Sequence, residues 1–220
     1  PLYDFPNQKV VHHFIPEMPI RVSALRTLGA YANVFAIESF MDEMAALAKA
    51  DPIAFRLAHL KDPRAKAVVE KVAAMANWKA GEAGSLSRGR GFAFAKYKNL
   101  ATYVAMVADV EVDRSSGKVR VPQVWAAADS GLIINPDGLR NQIEGGIIQS
   151  ASWTLYEHVR FDQSGIKSVD WQTYPILRMP DVPKVAVELI NRIDEPAKGA
   201  GEASQGPAVA AIANAFAHAT

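Results

Sequence analysis

The 220-residue chain contains no cysteine. That excludes disulfides, thiolate catalysis and iron–sulfur ligation by this chain. It lacks an excess of charge of either sign: 24 Lys and Arg against 23 Asp and Glu leave a formal net charge of +1, so composition gives no reason to propose nucleic acid or an anionic membrane as a partner. No apolar run is long enough to span a bilayer, and no signal-peptide pattern opens the chain. Its five histidines show no metal-ligand spacing. Phosphate loop, dinucleotide fingerprint and nucleophile elbow are all missing. The chain opens on Pro1 and stops at Thr220 within an apolar, helix-like stretch. The expectation is a piece of a longer polypeptide, or a processed subunit.

What is present reads as α+β, helices first and then a meander mixed with helices. Prolines 6, 16 and 19 keep the first 32 residues irregular. From Asn33, the spacing of Phe35, Ile37, Phe40, Met41, Met44, Ala45 and Ala48 predicts a helix with one broad apolar face, Glu38 and Asp42 lying elsewhere. Asp51-Pro52 and Asp62-Pro63 predict two further helix starts, with Asp as N-cap and Pro in the first turn. The third of these helices is expected to run to Trp78. Residues 79–90 read as a linker. The period then changes to two, predicting strands over "GFAFAKY", "TYVAMVADVEVD" and "KVRVPQVWAAAD", the last two joined by the turn "DRSSG". Val104, Met106, Ala108, Val110 and Val112 share one strand face. Asn135-Pro136 starts a long helix, residues 184–190 form a short strand, and a terminal helix begins near Gln205–Pro207. The expected division is 1–80, helical after a loop, and 91–220, α+β.

Three stretches draw attention as sites. "KGAGEASQGP" places Glu202 on a bare turn ahead of the terminal helix. Gly199 and Gly201 would let a ligand approach the backbone, and partial burial would raise the carboxyl towards a useful base. The same Glu could instead support the helix dipole. Gly145-Gly146 weakens its helix by about 1 kcal/mol per glycine, which either close packing or a nearby ligand would offset. Gln142 and Gln149, about two turns apart, share a face with donors and acceptors for a heterocycle edge. The loop from Ser23 to Asn33 ends at a helix start, where N–H groups could hold an anion.

Taken in order, "SALRTLGAYANVFAIESFMDEMA", "INPDGLRNQIEGGIIQSASWTLYE" and "KGAGEASQGPAVAAIANAF" resemble the molybdenum-cofactor subunit of the xanthine dehydrogenase and aldehyde oxidoreductase family. The phrases "NVFAIESFMDE", "DPIAFRL" and "QIEGG" are most similar to the branch that holds the beta subunits of isoquinoline 1-oxidoreductase, together with nicotinate-dehydrogenase-like enzymes. The resemblance covers nearly the whole chain and corresponds to the C-terminal part of a longer family subunit. It implies a molybdenum–molybdopterin cofactor, in the cytosine dinucleotide form, and iron–sulfur clusters on a partner chain. It implies hydroxylation of an N-heterocycle, or oxidation of an aldehyde, with oxygen from water and Glu202 as general base.

Cofactor contacts implied by the resemblance are Arg26, Gln142, Gly145, Gly146, Gln149 and Gly201. Leu28 matches a substrate-pocket position that is aromatic in purine oxidisers, which argues against a stacked purine. The family's other cofactor loops are not in this chain, so a remaining cofactor-binding chain or segment is implied. An alternative is a non-catalytic scaffold of such a complex. The expected location is cytoplasmic or membrane-associated, with the periplasm left open.

Overall fold

The computed structural model describes residues 2–20, 24–81, 85 and 87–220. Ser23, the start of the anion-loop expectation, and linker residues 82–84 and 86 lie outside the described residues. Helices α1 (Ala30–Leu47), α2 (Pro52–Ala58) and α3 (Pro63–Met75) come first. Strands β1 (Arg88–Lys96), β2 (Tyr103–Asp113) and β3 (Lys118–Asp129) follow. Helix α4 (Pro136–Leu155), a small hairpin of β4 (Phe161–Asp162) and β5 (Gly165–Ile166), β6 (Lys184–Leu189) and α5 (Gln205–Ala219) complete the order. The main sheet has four strands in the order β1-β2-β3-β6. Its first three strands are antiparallel, and β6 joins β3 in parallel, so the sheet is mixed and the fold is α+β.

Capping chemistry sets the helix starts. Asp51 Oδ1 accepts from the N–H groups of Ile53 and Ala54, Asp62 caps α3 through Arg64, and Asn135 accepts from Gly138. Strand β1 begins at Arg88, inside the stretch 79–90 read as a linker, because Arg88, Gly89 and Arg90 pair with Glu111, Val110 and Asp109 of β2. One helix start and one helix end also differ from the spacing. Helix α1 begins at Ala30 rather than Asn33. Helix α3 ends at Met75 rather than Trp78, because Asn77 turns left-handed (φ 48°) and the Trp78 N–H closes back on the Ala73 carbonyl, while the Trp78 indole N–H donates to Asp51 Oδ2 at 2.8 Å.

The sheet is buried on both faces. Val104, Met106, Ala108, Val110 and Val112 of β2 pack with Ile143 and Ile147 of α4 and with Ala211 and Ile212 of α5. On the opposite face Tyr103, Ala105 and Val107 meet Val68, Val69 and Val72 of α3, together with Tyr3 and Met41. Fully burying a side chain of the Val or Ile class stabilises by about 1.5–3 kcal/mol. This second layer ties the helical start of the chain to the sheet.

Helix α1 corrects the periodicity. Its buried residues are Glu38, Met41 and Ala45, whereas Phe35 and Phe40 are exposed. Glu38, placed by the spacing away from the packed face, instead reaches inward to a buried network. Its carboxylate accepts from Tyr3 Oη (2.7 Å), Arg56 Nε (2.9 Å) and the N–H of Phe94 (2.9 Å). Arg56 is fully buried and also pairs with Asp42 at 2.6 Å. A buried charge survives only where partners replace its water. Burial pushes the Glu38 carboxyl up, against the opposing pull of Arg56. Burial is the largest influence on Arg56 and disfavours its charge, but Glu38, Tyr3 and Asp42 together more than compensate and hold the guanidinium above its ordinary value.

Candidate active site

The N-terminus of α5 is where the site assembles, and two glycine contacts place it there. A Cβ on Gly146 of α4 would lie 2.0 Å from Ser204 Oγ. One on Gly206 of α5 would lie 2.9 Å from Val34 Cβ and 3.1 Å from the Ala30 carbonyl oxygen. Only glycine lets α1 and α4 approach the start of α5 this closely. The loop ahead of α1 is thereby laid beside the Gly199–Glu202 turn. Of the two options for the glycine pair, Gly146 takes the packing one: it is buried against Ser204 and Gln205.

Arg26 joins the pieces. Its Nε donates to the Gly201 carbonyl at 2.7 Å, and its Nη1 donates to Gln149 Oε1 at 3.2 Å. Nη2 donates to the Gln142 carbonyl at 3.1 Å and to Gln142 Oε1 at 2.9 Å. Gly145 borders the same guanidinium, 3.9 Å from Nη1 to a Cβ built on it. Turning the Gln205 amide lets it accept from Arg26 Nε and donate to the Glu202 carbonyl. Arg26, Gln142, Gly145, Gln149, Gly201 and Glu202, scattered over three segments, therefore form one cluster. Leu28 lies next to it, exposed, on the loop that carries Arg26 and Thr27.

Glu202 is gripped from two sides. Oε1 accepts from the Thr27 N–H at 3.1 Å and Oε2 from the Tyr97 hydroxyl, while the hydroxyl of buried Thr27 donates to the Glu202 carbonyl at 2.9 Å. This overturns the expectation of a raised carboxyl. The Tyr97 hydroxyl first, then the Thr27 N–H, hold Glu202 below its ordinary value, and Lys98 and Arg26 act in the same direction. The turn is short of charge in sequence but not in space. Both hydrogen-bond partners of the carboxylate belong to other segments rather than to α5. Tyr97, in turn, is pushed up to about 12 by burial and by its bond to Glu202, so it stays a donor at neutral pH.

Spacing does not reveal Tyr97 or Thr27. Tyr97 is 105 residues from Glu202, and its only signal is an aromatic at a strand end. No group of three or more His, Cys, Asp or Glu side chains fit to hold a metal occurs among the described residues. No helix among them is long and apolar enough to cross a membrane.

Residues 23–183 match the family model described as the molybdopterin cofactor-binding domain. The chain is 41% identical over 233 aligned positions to a subunit of nicotinate dehydrogenase from Pseudomonas putida, covering 100% of this chain and 20% of that protein. It is 38% identical over 221 positions to the beta subunit of isoquinoline 1-oxidoreductase from Brevundimonas diminuta, covering 99% of this chain and 28% of that protein. The solved aldehyde oxidoreductase from Desulfovibrio gigas shares the fold, with a TM-score of 0.74 over 90% of this chain and 39% of that one, at 17% identity. The chain thus spans 20% and 28% of the length of the two named relatives.

Proposed function

Because the chain belongs to the molybdopterin cofactor-binding domain family, we propose that it forms one wall of a molybdenum hydroxylase active site. The observation that carries this reading is the Arg26 guanidinium, which gathers Gln142, Gln149 and Gly201 beside Glu202. The donor set fits a pterin. Amides and a guanidinium can bond heterocycle edges and phosphates, and a metal held by the pterin needs no ligand from this chain. Bare backbone fits too. A Cβ at Gly199 would meet nothing within 4 Å, and at Gly145 and Gly201 nothing nearer than 3.9 and 3.8 Å. None of the three has the positive φ that would require glycine for conformational reasons. The open space beside them leaves room for a bound group.

In this reading Gln142, Gln149, Gly145 and Gly201 hold the pterin, Arg26 fixes their orientation, and Gly146 serves by packing. When bound, the cofactor supplies the redox chemistry, withdrawing two electrons from a substrate carbon that gains an oxygen from water. Glu202 takes up the proton released from that water, its carboxylate aimed by Thr27 and Tyr97. Leu28 borders the substrate. The substrate class is an N-heterocycle or an aldehyde, the first being the chemistry named for the two relatives. The rest of the cofactor site comes from another segment or chain. The electrons leave through an iron–sulfur subunit, and the cytosine dinucleotide form of the pterin belongs to the same proposal.

Arg26→Ala tests the cluster directly. The variant complex is expected to retain less pterin than wild type when both are purified identically and show the same circular dichroism. Equal retention would remove the cluster from the cofactor site.

A further inference from the structure

Six non-glycine residues among those described have positive φ. Lys49 and Asn77 follow the ends of α1 and α3, where left-handed residues are routine. The other four form two consecutive pairs, Thr27 (79°) with Leu28 (55°) and Lys98 (51°) with Asn99 (57°). Left-handed backbone disfavours L-residues with side chains, and successive ones are rarer still. Both pairs flank Glu202. Thr27 supplies the N–H on Oε1, and Tyr97, immediately before Lys98, supplies the hydroxyl on Oε2. The Lys98–Asn99 pair is the turn of the β1–β2 hairpin, closed by the Leu100 N–H on the Tyr97 carbonyl, where two positive φ values are usual, and it fixes Tyr97 at the end of β1. Thr27–Leu28 lies in no hairpin, and its left-handed backbone points to a constrained geometry where the Thr27 N–H meets the carboxylate.

We propose that Tyr97 is the positioning residue of Glu202, holding the second carboxylate oxygen from one left-handed turn while Thr27 holds the first from the other. The assignment rests on the proton-accepting role of Glu202 given above. A carboxylate offers about four lone-pair positions, so two donors leave room for an incoming proton. The Tyr97 ring packs against the core beneath the sheet, so its hydroxyl is the separable part. Phenylalanine keeps the packing and removes only the bond.

In the loaded complex, Tyr97→Phe is expected to lower kcat roughly 10-fold, the value of one hydrogen bond to a charged group, with KM held. The acid limb of kcat/KM is expected to move to higher pH, because a donor that favours the carboxylate is gone. A second readout needs no cofactor: ¹³C NMR titration of Glu side chains in the full chain, with the Glu202 signal assigned by its loss in Glu202→Gln. Its midpoint is expected to rise in Tyr97→Phe. An unmoved midpoint and limb, with turnover still abolished by Glu202→Gln, would overturn the role of Tyr97 and leave Glu202 as the base. Normal turnover in metal-loaded Glu202→Gln would remove the base itself, and the positioning role with it.

Discussion

Glu202→Gln in the assembled complex is expected to lower turnover by about 10²- to 10⁴-fold, the usual contribution of a positioned general base, with molybdenum and pterin retained. The amide keeps the shape and can still accept from Tyr97 or Thr27, so the fold around α5 should persist. What it loses is the capacity to take a proton. The pH dependence of the wild type follows from the direction of the Glu202 shift. Its carboxyl sits below the ordinary value of 4.5, chiefly because Tyr97 and Thr27 bond the charged form. A depressed carboxyl is ionised above its own pKa, so activity should hold on the acid side of neutrality, with an acid limb lower than an unbonded glutamate would give. Near-normal turnover in the metal-loaded variant would exclude Glu202 as the proton acceptor.

The second large effect lies away from the site. Arg56→Leu is expected to destabilise the chain by about 3–5 kcal/mol, measured by urea unfolding at neutral pH, because it strands the buried Glu38 carboxylate. Tyr3 and the Phe94 N–H remain as its donors, but the charge opposite is gone. Burial already raises the Glu38 carboxyl, and Arg56 is the largest influence against that rise. Without Arg56 the folded pKa climbs further above the unfolded one. A raised carboxyl gives stability that is present below the unfolded pKa and lost as pH climbs through the folded value. The defect should therefore be smallest in acid and grow towards neutrality. A defect independent of pH would mean that Glu38 is not left charged and unpaired.

Much of the fold is legible in the sequence because local chemistry and tertiary packing agree. The Asx-Pro pairs at 51–52, 62–63 and 135–136 each start a helix. The turn "DRSSG" joins strands whose alternation ends where β2 and β3 do. Helix α1 misleads because a buried salt bridge looks like surface in a periodicity plot. Glu38 lies three residues before Met41 and seven before Ala45, on the inner stripe, but its charge argues for water. The site divides in the same way. Arg26, Gln142, Gln149, Gly201 and Glu202 are accessible through resemblance, and they converge in space. Tyr97 and Thr27 are not, since each acts on Glu202 across more than 100 residues of chain. The sign of the Glu202 shift is hidden for the same reason: bare neighbours in sequence suggest a dry carboxyl, whereas distant donors decide its charge.

The most direct measurement is the molybdenum and pterin content of this chain, purified from its native host with whatever assembles on it. Stoichiometric molybdenum and pterin, with an iron–sulfur protein in the same complex, is the predicted result. A stable complex holding neither metal nor pterin, from a host that makes the cofactor, would contradict it and leave the Arg26–Glu202 cluster as the joint of a non-catalytic scaffold.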